Sequence, residues 1–209
     1  MSPRSRDPKP KPGTPLPLLL TPASIADPLP LDAAFGRAAP LEVDVGCGKG
    51  RFLLARARAF PHVNFLGVDR MIARLHKIDR RATGEGIANV RLLRVEAAHA
   101  IHHLLPPASV RTFYIFFPDP WPKRRHHERR LIGDAVLADL ARALEPGGRL
   151  HFATDHADYF AAAVKRLRAT PEFREVEPFL PSDDERTDFE LLFVKQGCTI
   201  GRSSFERRA

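Results

Sequence analysis

A chain of 209 residues is long enough for one well-buried domain and short for two, and its 44% hydrophobic content fits a globular fold. Thirty-three Lys plus Arg against 25 Asp plus Glu give a formal net charge of +8, which favours a polyanionic partner. Two cysteines, Cys47 and Cys198, exclude a disulfide framework, and no apolar run approaches the roughly 20 residues of a membrane helix, so a reducing, cytoplasmic setting is expected.

Residues 1–39 carry nine of the twenty prolines among scattered Arg and Lys and show no apolar period. They read as a flexible basic tail, with the folded domain over 40–209. From Leu41 the pattern changes to short apolar runs that alternate with helical spacing. LEVDV (41–45) is the first expected strand, followed by a helix over 51–59, a strand VNFLGVD (63–69) and a helix over 72–83. NVRLLRVEA (89–97) and VRTFYIFF (110–117) make the third and fourth strands. A helix is expected over 128–144, stopped at Pro146-Gly147-Gly148, then a fifth strand RLHFAT (149–154) and a helix over 158–170. FREVEPF and DFELLFVKQG read as a closing pair of strands. Strands alternating with helices predict an α/β, Rossmann-like domain with a mostly parallel seven-stranded sheet, helices on both faces, and ligands beyond the carboxyl ends of the strands.

The segment DVGCGKG (44–50) joins the first strand to a helix, so Gly46 and Gly48 let the backbone pass close to a ligand. Its spacing is not that of a dinucleotide loop, and an acid before the first glycine repels a pyrophosphate while suiting a cation. Asp44 therefore points to S-adenosylmethionine, whose methionine end carries an ammonium and a sulfonium. Asp69, at the end of the second strand, is placed to accept hydrogen bonds from ribose hydroxyls, and Glu96, ending the third, to meet the adenine side.

The fourth strand runs into FFPDPWPKRRHHERR (116–130). Prolines on both sides of Asp119 restrict where its carboxylate points, Trp121 offers a flat face for a base, and Lys123, Arg124, Arg125, Arg129 and Arg130 form an expected phosphate track. His99, His102 and His103 have helical spacing but no cysteine partner nearby, so no metal site is expected.

With TDH (154–156) and TDFE (187–190), the block PDPWPKRRHHERR resembles the signature of the bacterial tRNA (guanine-N7-)-methyltransferases, a resemblance that covers about residues 40–209. It implies a class I methyltransferase fold and methyl transfer from S-adenosylmethionine to guanine N7 in the tRNA variable loop. By position, Asp44, Asp69, Glu96 and Asp119 match the family's cofactor-contacting acids, and Asp119 also its catalytic position. Lys123, Asp155, Thr187, Asp188, Phe189 and Glu190 match its substrate-binding positions. The partner implied is tRNA, with no membrane and no obligatory protein partner. Two other classes compete: an amino-methyltransferase acting on adenine or protein, disfavoured because Trp121 stands where such loops carry a second proline, and a non-catalytic RNA-binding module, disfavoured by the intact acids.

Overall fold

The computed structural model describes residues 16–209. In chain order its elements are β1 (Leu19–Leu20), α1 (Leu31–Phe35), β2 (Leu41–Val45), α2 (Arg51–Ala59), β3 (Asn64–Asp69), α3 (Ile72–Gly84), β4 (Val90–Arg94) and α4 (Ala97–His99), which continues as a π-helical turn over Ala100–Leu104. Next come β5 (Val110–Phe116), a 3-10 turn (Arg124–Arg129), α5 (Asp134–Ala143), β6 (Leu144–Thr154), α6 (Ala157–Ala169), β7 (Phe173–Val176), α7 (Asp188–Lys195) and β8 (Gly201–Arg207).

The strands form one sheet in the order β1-β4-β3-β2-β5-β6-β8-β7. Pairs from β1 through β6 are parallel, and β8 runs antiparallel to both β6 and β7. The expected seven-stranded, mostly parallel sheet is thus β2 to β8, extended by the two-residue β1. Every residue of β2 and β3 is buried, as a central parallel strand covered on both faces requires. Alternation along β3 divides the core: Leu66 and Val68 pack with Ile101, Leu137 and Leu140, whereas Phe65 packs on the other face with Leu53, Leu75 and Ile78. At Gly67 an added Cβ would lie 2.6 Å from Leu53 Cδ2, so the missing side chain is what lets α2 seat closely on the sheet.

Three expectations need correction. Of the segment expected as a flexible tail, residues 1–15 lie outside the described residues, but 16–39 pack onto the domain. Leu18, Leu29 and Phe35 are buried, and the Leu18 N–H donates to Asp79 Oδ2 at 2.9 Å. The prolines there interrupt helical periodicity without preventing burial of single apolar residues. The helix expected over 128–144 divides into the 3-10 turn and α5, because Arg130 is extended and ties back to the preceding loop. DFELLFVK is α7, not a strand: Thr187 Oγ1 accepts the Glu190 N–H at 3.0 Å and caps a helix with acids in its first turn. The strand paired with β7 is instead GRSSFER, β8. No helix among the described residues is long and apolar enough to cross a membrane.

Candidate active site

Five parallel strands bring five acids to one sheet edge, in the spatial order Glu96, Asp69, Asp44, Asp119 and Asp155. Asp69 ends β3, Asp44 lies one residue inside the end of β2, and the other three begin the loops after β4, β5 and β6. The β2–α2 loop turns beside them through glycines in the left-handed region, Gly46, Gly48 and Gly50 at φ 80°, 55° and 74°. At Gly50 a Cβ would also lie 2.6 Å from Ile78 Cγ1, so a side chain there is excluded twice. Four of the loop amides are satisfied internally: Gly46 and Cys47 donate to Val68 O at 2.8 and 3.0 Å, Gly48 to Asp69 Oδ2 at 3.1 Å and Gly50 to Cys47 O at 2.9 Å. With these amides engaged, the buried Asp44 carboxylate is the charged group that the loop presents.

A pocket open to solvent lies over the loop between α2 and α7. Asp44, Gly46, Gly48, Arg51, Arg74, Phe116, Thr187, Asp188 and Phe189 are among its lining residues. Asp44 is 5% exposed, and its carboxylate has no hydrogen-bond or ion-pair partner among the described residues. Burial first, and then the negative charge of Asp69, push its pKa up from 3.8 to about 7. A buried carboxylate without a partner calls for a cation. That requirement is the structural test for S-adenosylmethionine, and the residues fit it.

Asp69 differs. It is 7% exposed and accepts from Gly48 N and Arg74 Nη1, each at 3.1 Å, and from Met71 N at 2.7 Å. Arg74 therefore occupies acceptor capacity that ribose hydroxyls would use. It was not singled out in the sequence, although its place five residues after Asp69 in the first turn of α3 is a legible signal. Glu96 is exposed, and its carboxylate caps α4 by accepting the His99 N–H at 3.0 Å; it does not line the pocket. Cys47 is buried with its thiol pKa raised well above 9.0, by burial first and then by Asp44 and Asp69, so it is chemically quiet.

The loop after β5 holds Phe117 and Trp121 at φ 53° and 43°, two side-chain-bearing residues in the left-handed region, on either side of Pro118-Asp119-Pro120. Such conformations cost about 1–3 kcal/mol each and gather where a loop must present a particular group. Asp119 is exposed between them, with no side-chain partner among the described residues. Lys123, Arg124, Arg125 and Arg129 are exposed.

Arg130 departs from the expected track. It is 6% exposed, donates to Pro120 O at 2.8 Å and to Asp158 Oδ2 at 2.7 Å, and lies over Tyr159. A guanidinium so engaged braces the loop and is not offered to a phosphate. Trp121 also has partners within the basic run, the Arg129 guanidinium 5.1 Å from its ring centroid and the His126 ring 5.9 Å away. The aromatic ring exposed at the pocket wall is Phe189, 43% exposed and stacked on Phe193, which meets Phe117 in turn.

Thr187, Asp188 and Phe189 reach the pocket wall together. Glu190 does not: it is 4% exposed and turned inward, 2.5 Å from Arg202 Nη2 and 3.7 Å from Arg186 Nε, an arrangement that anchors α7. Lys123 and Asp155 stand on the neighbouring loops outside the pocket lining. His102 Nδ1 lies 2.7 Å from Asp139, and among the described residues no group of three or more His, Cys, Asp or Glu could hold a metal ion.

A family model described as "Putative methyltransferase" matches residues 38–200. A tRNA (guanine-N(7)-)-methyltransferase of Nocardia farcinica is 43% identical over 160 residues, spanning 77% of this chain and 60% of that protein. One of Halorhodospira halophila is 41% identical over 175 residues, spanning 81% and 76%. Among solved structures, the antibiotic-resistance methyltransferase Kmr aligns with TM-score 0.61 at 19% identity over 90% of this chain and 95% of its own. SMU.1697c of Streptococcus mutans, solved with SAH, aligns with TM-score 0.54 at 13% identity over 86% and 98%; these two likenesses concern the fold.

Proposed function

Because the chain belongs to the bacterial tRNA (guanine-N7-)-methyltransferase family, we propose that it transfers the methyl group of S-adenosylmethionine to N7 of a guanosine in the tRNA variable loop. The observation that carries this reading is the pairing of a buried, unpartnered Asp44 on β2 with an exposed, proline-bracketed Asp119 in the loop after the adjacent strand β5. One acid suits a cationic donor and the other an acceptor that becomes cationic. Trp121, in place of the second proline of amino-methyltransferase loops, supports the same choice.

S-adenosylmethionine supplies an electrophilic methyl group on a sulfonium. Asp44 would hold the ammonium of its methionine end, and Asp69, which shares its carboxylate with Arg74, would accept from the ribose hydroxyls. Glu96, at the next strand end, lies outside the pocket lining and would have to release the His99 N–H to meet the adenine side. Guanine N7 has a lone pair and no proton to lose, so no base is required to create the nucleophile. The chain's work is placement and charge. Asp119 accepts from the guanine N–H edge and stabilises the positive charge arriving on the purine. Phe189 gives the base an apolar face, and Thr187, Asp188 and Asp155 flank the substrate. Lys123, Arg124, Arg125 and Arg129 hold phosphates, consistent with the net charge of +8. Work on tRNA supports a cytoplasmic location, and no helix among the described residues is long and apolar enough to cross a membrane.

The test is to incubate the protein with methyl-labelled S-adenosylmethionine and unmodified tRNA and to identify the labelled nucleoside. Label in 7-methylguanosine is expected. Label in N6-methyladenosine, or none in RNA, overturns the reading.

A further inference from the structure

Two arginines of α2 leave their own helix and grip the chain just ahead of α7. Arg51, next to Gly50 of the cofactor loop, donates from Nε to Arg186 O at 2.9 Å and from Nη2 to Asp183 O at 3.4 Å. Arg56 places Nη1 3.0 Å from Glu185 Oε1, while Nη2 meets the buried Glu42 at 3.2 Å. Glu42 is fixed to the sheet by the Tyr114 hydroxyl at 2.9 Å, and the second oxygen of Glu185 accepts the Ser182 N–H at 3.1 Å. The segment preceding Thr187 is therefore fastened to the helix that begins at the cofactor loop.

The helix that follows is held besides by the Glu190–Arg202 ion pair, but by little apolar burial. Glu190 is its one buried residue, and Phe189, Leu191, Leu192 and Val194 are all exposed. Yet Thr187, Asp188, Phe189 and Leu192 wall the pocket opposite Asp44, and Arg51 lines it too. A ligand filling this pocket touches α2 and α7 at once, so it bears on the position of the helix that a second ligand on α7 would meet.

We propose that Arg51, with the Arg56–Glu185 pair, couples the cofactor pocket to the tRNA-contacting face of α7, so that each ligand raises the affinity for the other. This inference rests on the functional reading above. Arg51 acts as a positioning residue: it holds the backbone at 183–186 and through it the orientation of Thr187 and Phe189. The exposed apolar side chains fit the same view, because a helix whose sequence buries so little of itself takes its position from its attachments and its ligands.

The experiment measures the affinity for S-adenosylhomocysteine, which cannot react, by calorimetry with and without saturating unmodified tRNA, and the tRNA affinity with and without S-adenosylhomocysteine. Wild type should show the same ratio both ways, about fivefold or more, since linkage is reciprocal. Arg51→Ala should bring the ratio close to one. Glu185→Ala, which leaves the pocket wall intact, should lower it as well, and hydrogen exchange at α7 amides should no longer slow when S-adenosylhomocysteine binds. A merely structural role would lower melting temperature and both affinities while keeping the ratio. A ratio of one in wild type, or an unchanged ratio in both variants, sinks the inference alone if 7-methylguanosine is still made. Failure to bind tRNA at all removes the functional reading and this inference together.

Discussion

Asp44 and Asp69 lie on neighbouring strands of one site, yet Arg74 meets Asp69 at 3.1 Å and nothing among the described residues meets the Asp44 carboxylate. The difference sets a pH dependence. Burial first, and then Asp69, raise the folded pKa of Asp44 from 3.8 to about 7. The folded state thus holds this proton more tightly than the unfolded chain does. Its contribution to stability is present below 3.8, declines as pH rises toward about 7, and is flat above that.

Asp44→Asn should therefore melt higher than wild type above pH 7 without ligand, and should lose the rise in melting temperature that S-adenosylmethionine gives wild type. In wild type, affinity for this cation should grow as pH passes upward through about 7 more than it does in the Asn variant. Thermal melts and calorimetry across that range supply the check. An Asn variant stabilised by the ligand as strongly as wild type would show that Asp44 does not bind it.

The basic run separates into two kinds of arginine. Arg124→Ala with Arg125→Ala should flatten the dependence of log tRNA affinity on log salt by about 1 to 2 units, because each is read as a phosphate contact. Arg130→Ala should leave that slope nearly unchanged and lower the melting temperature, since its guanidinium is committed to Pro120 O and Asp158. Equal slopes in all variants would assign the whole run to a solvated face.

Much of this was legible in the sequence, for identifiable reasons. Buried parallel strands such as LEVDV and NFLGVD need nearly continuous apolar residues, and their ends carry the acids, so the order of strands and the position of Asp44 and Asp69 follow from one pattern. The apolar run at 189–194 misled, because run length without flanking signals does not separate strand from helix. The spacing of Thr187 and Glu190 was the missed signal, a capping arrangement that favours helix. GRSSFER hid because its polar residues face other charges, Arg174 to Glu206 and Ser203 to Glu175. The inward turn of Glu190 and Arg130 was not legible, since both depend on partners distant in sequence or across a loop.

Phe189 supplies a third test. Its ring is 43% exposed at the pocket wall and stacks on Phe193 at 6.1 Å between centroids. Phe189→Ala should weaken productive tRNA binding by about 1–3 kcal/mol if a base stacks there, while Phe189→Tyr should retain most of it. Trp121→Ala should act differently, loosening the turn around Arg129 and changing the salt dependence. An Ala variant of Phe189 with wild-type tRNA affinity and rate would leave the base without this platform.

The last expectation concerns Asp119, where charge can be separated from shape. Phe117 and Trp121 hold strained left-handed conformations on either side of it, and Pro118 and Pro120 restrict its backbone, so an Asn in its place should sit in nearly the same position. Asn keeps the size and one acceptor but removes the negative charge. If positive charge reaches the guanine in the transition state, Asp119→Asn should lower the single-turnover methylation rate by about a hundredfold, equivalent to roughly 2.7 kcal/mol. Affinity for tRNA should change little, because the exposed cations of the 123–129 turn remain. The rate should also fail to recover at high pH, since N7 has no proton to lose and no missing base is being replaced. Measured with saturating cofactor and tRNA, a near-normal rate would remove Asp119 from catalysis, and recovery at high pH would instead indicate proton transfer and a different acceptor atom.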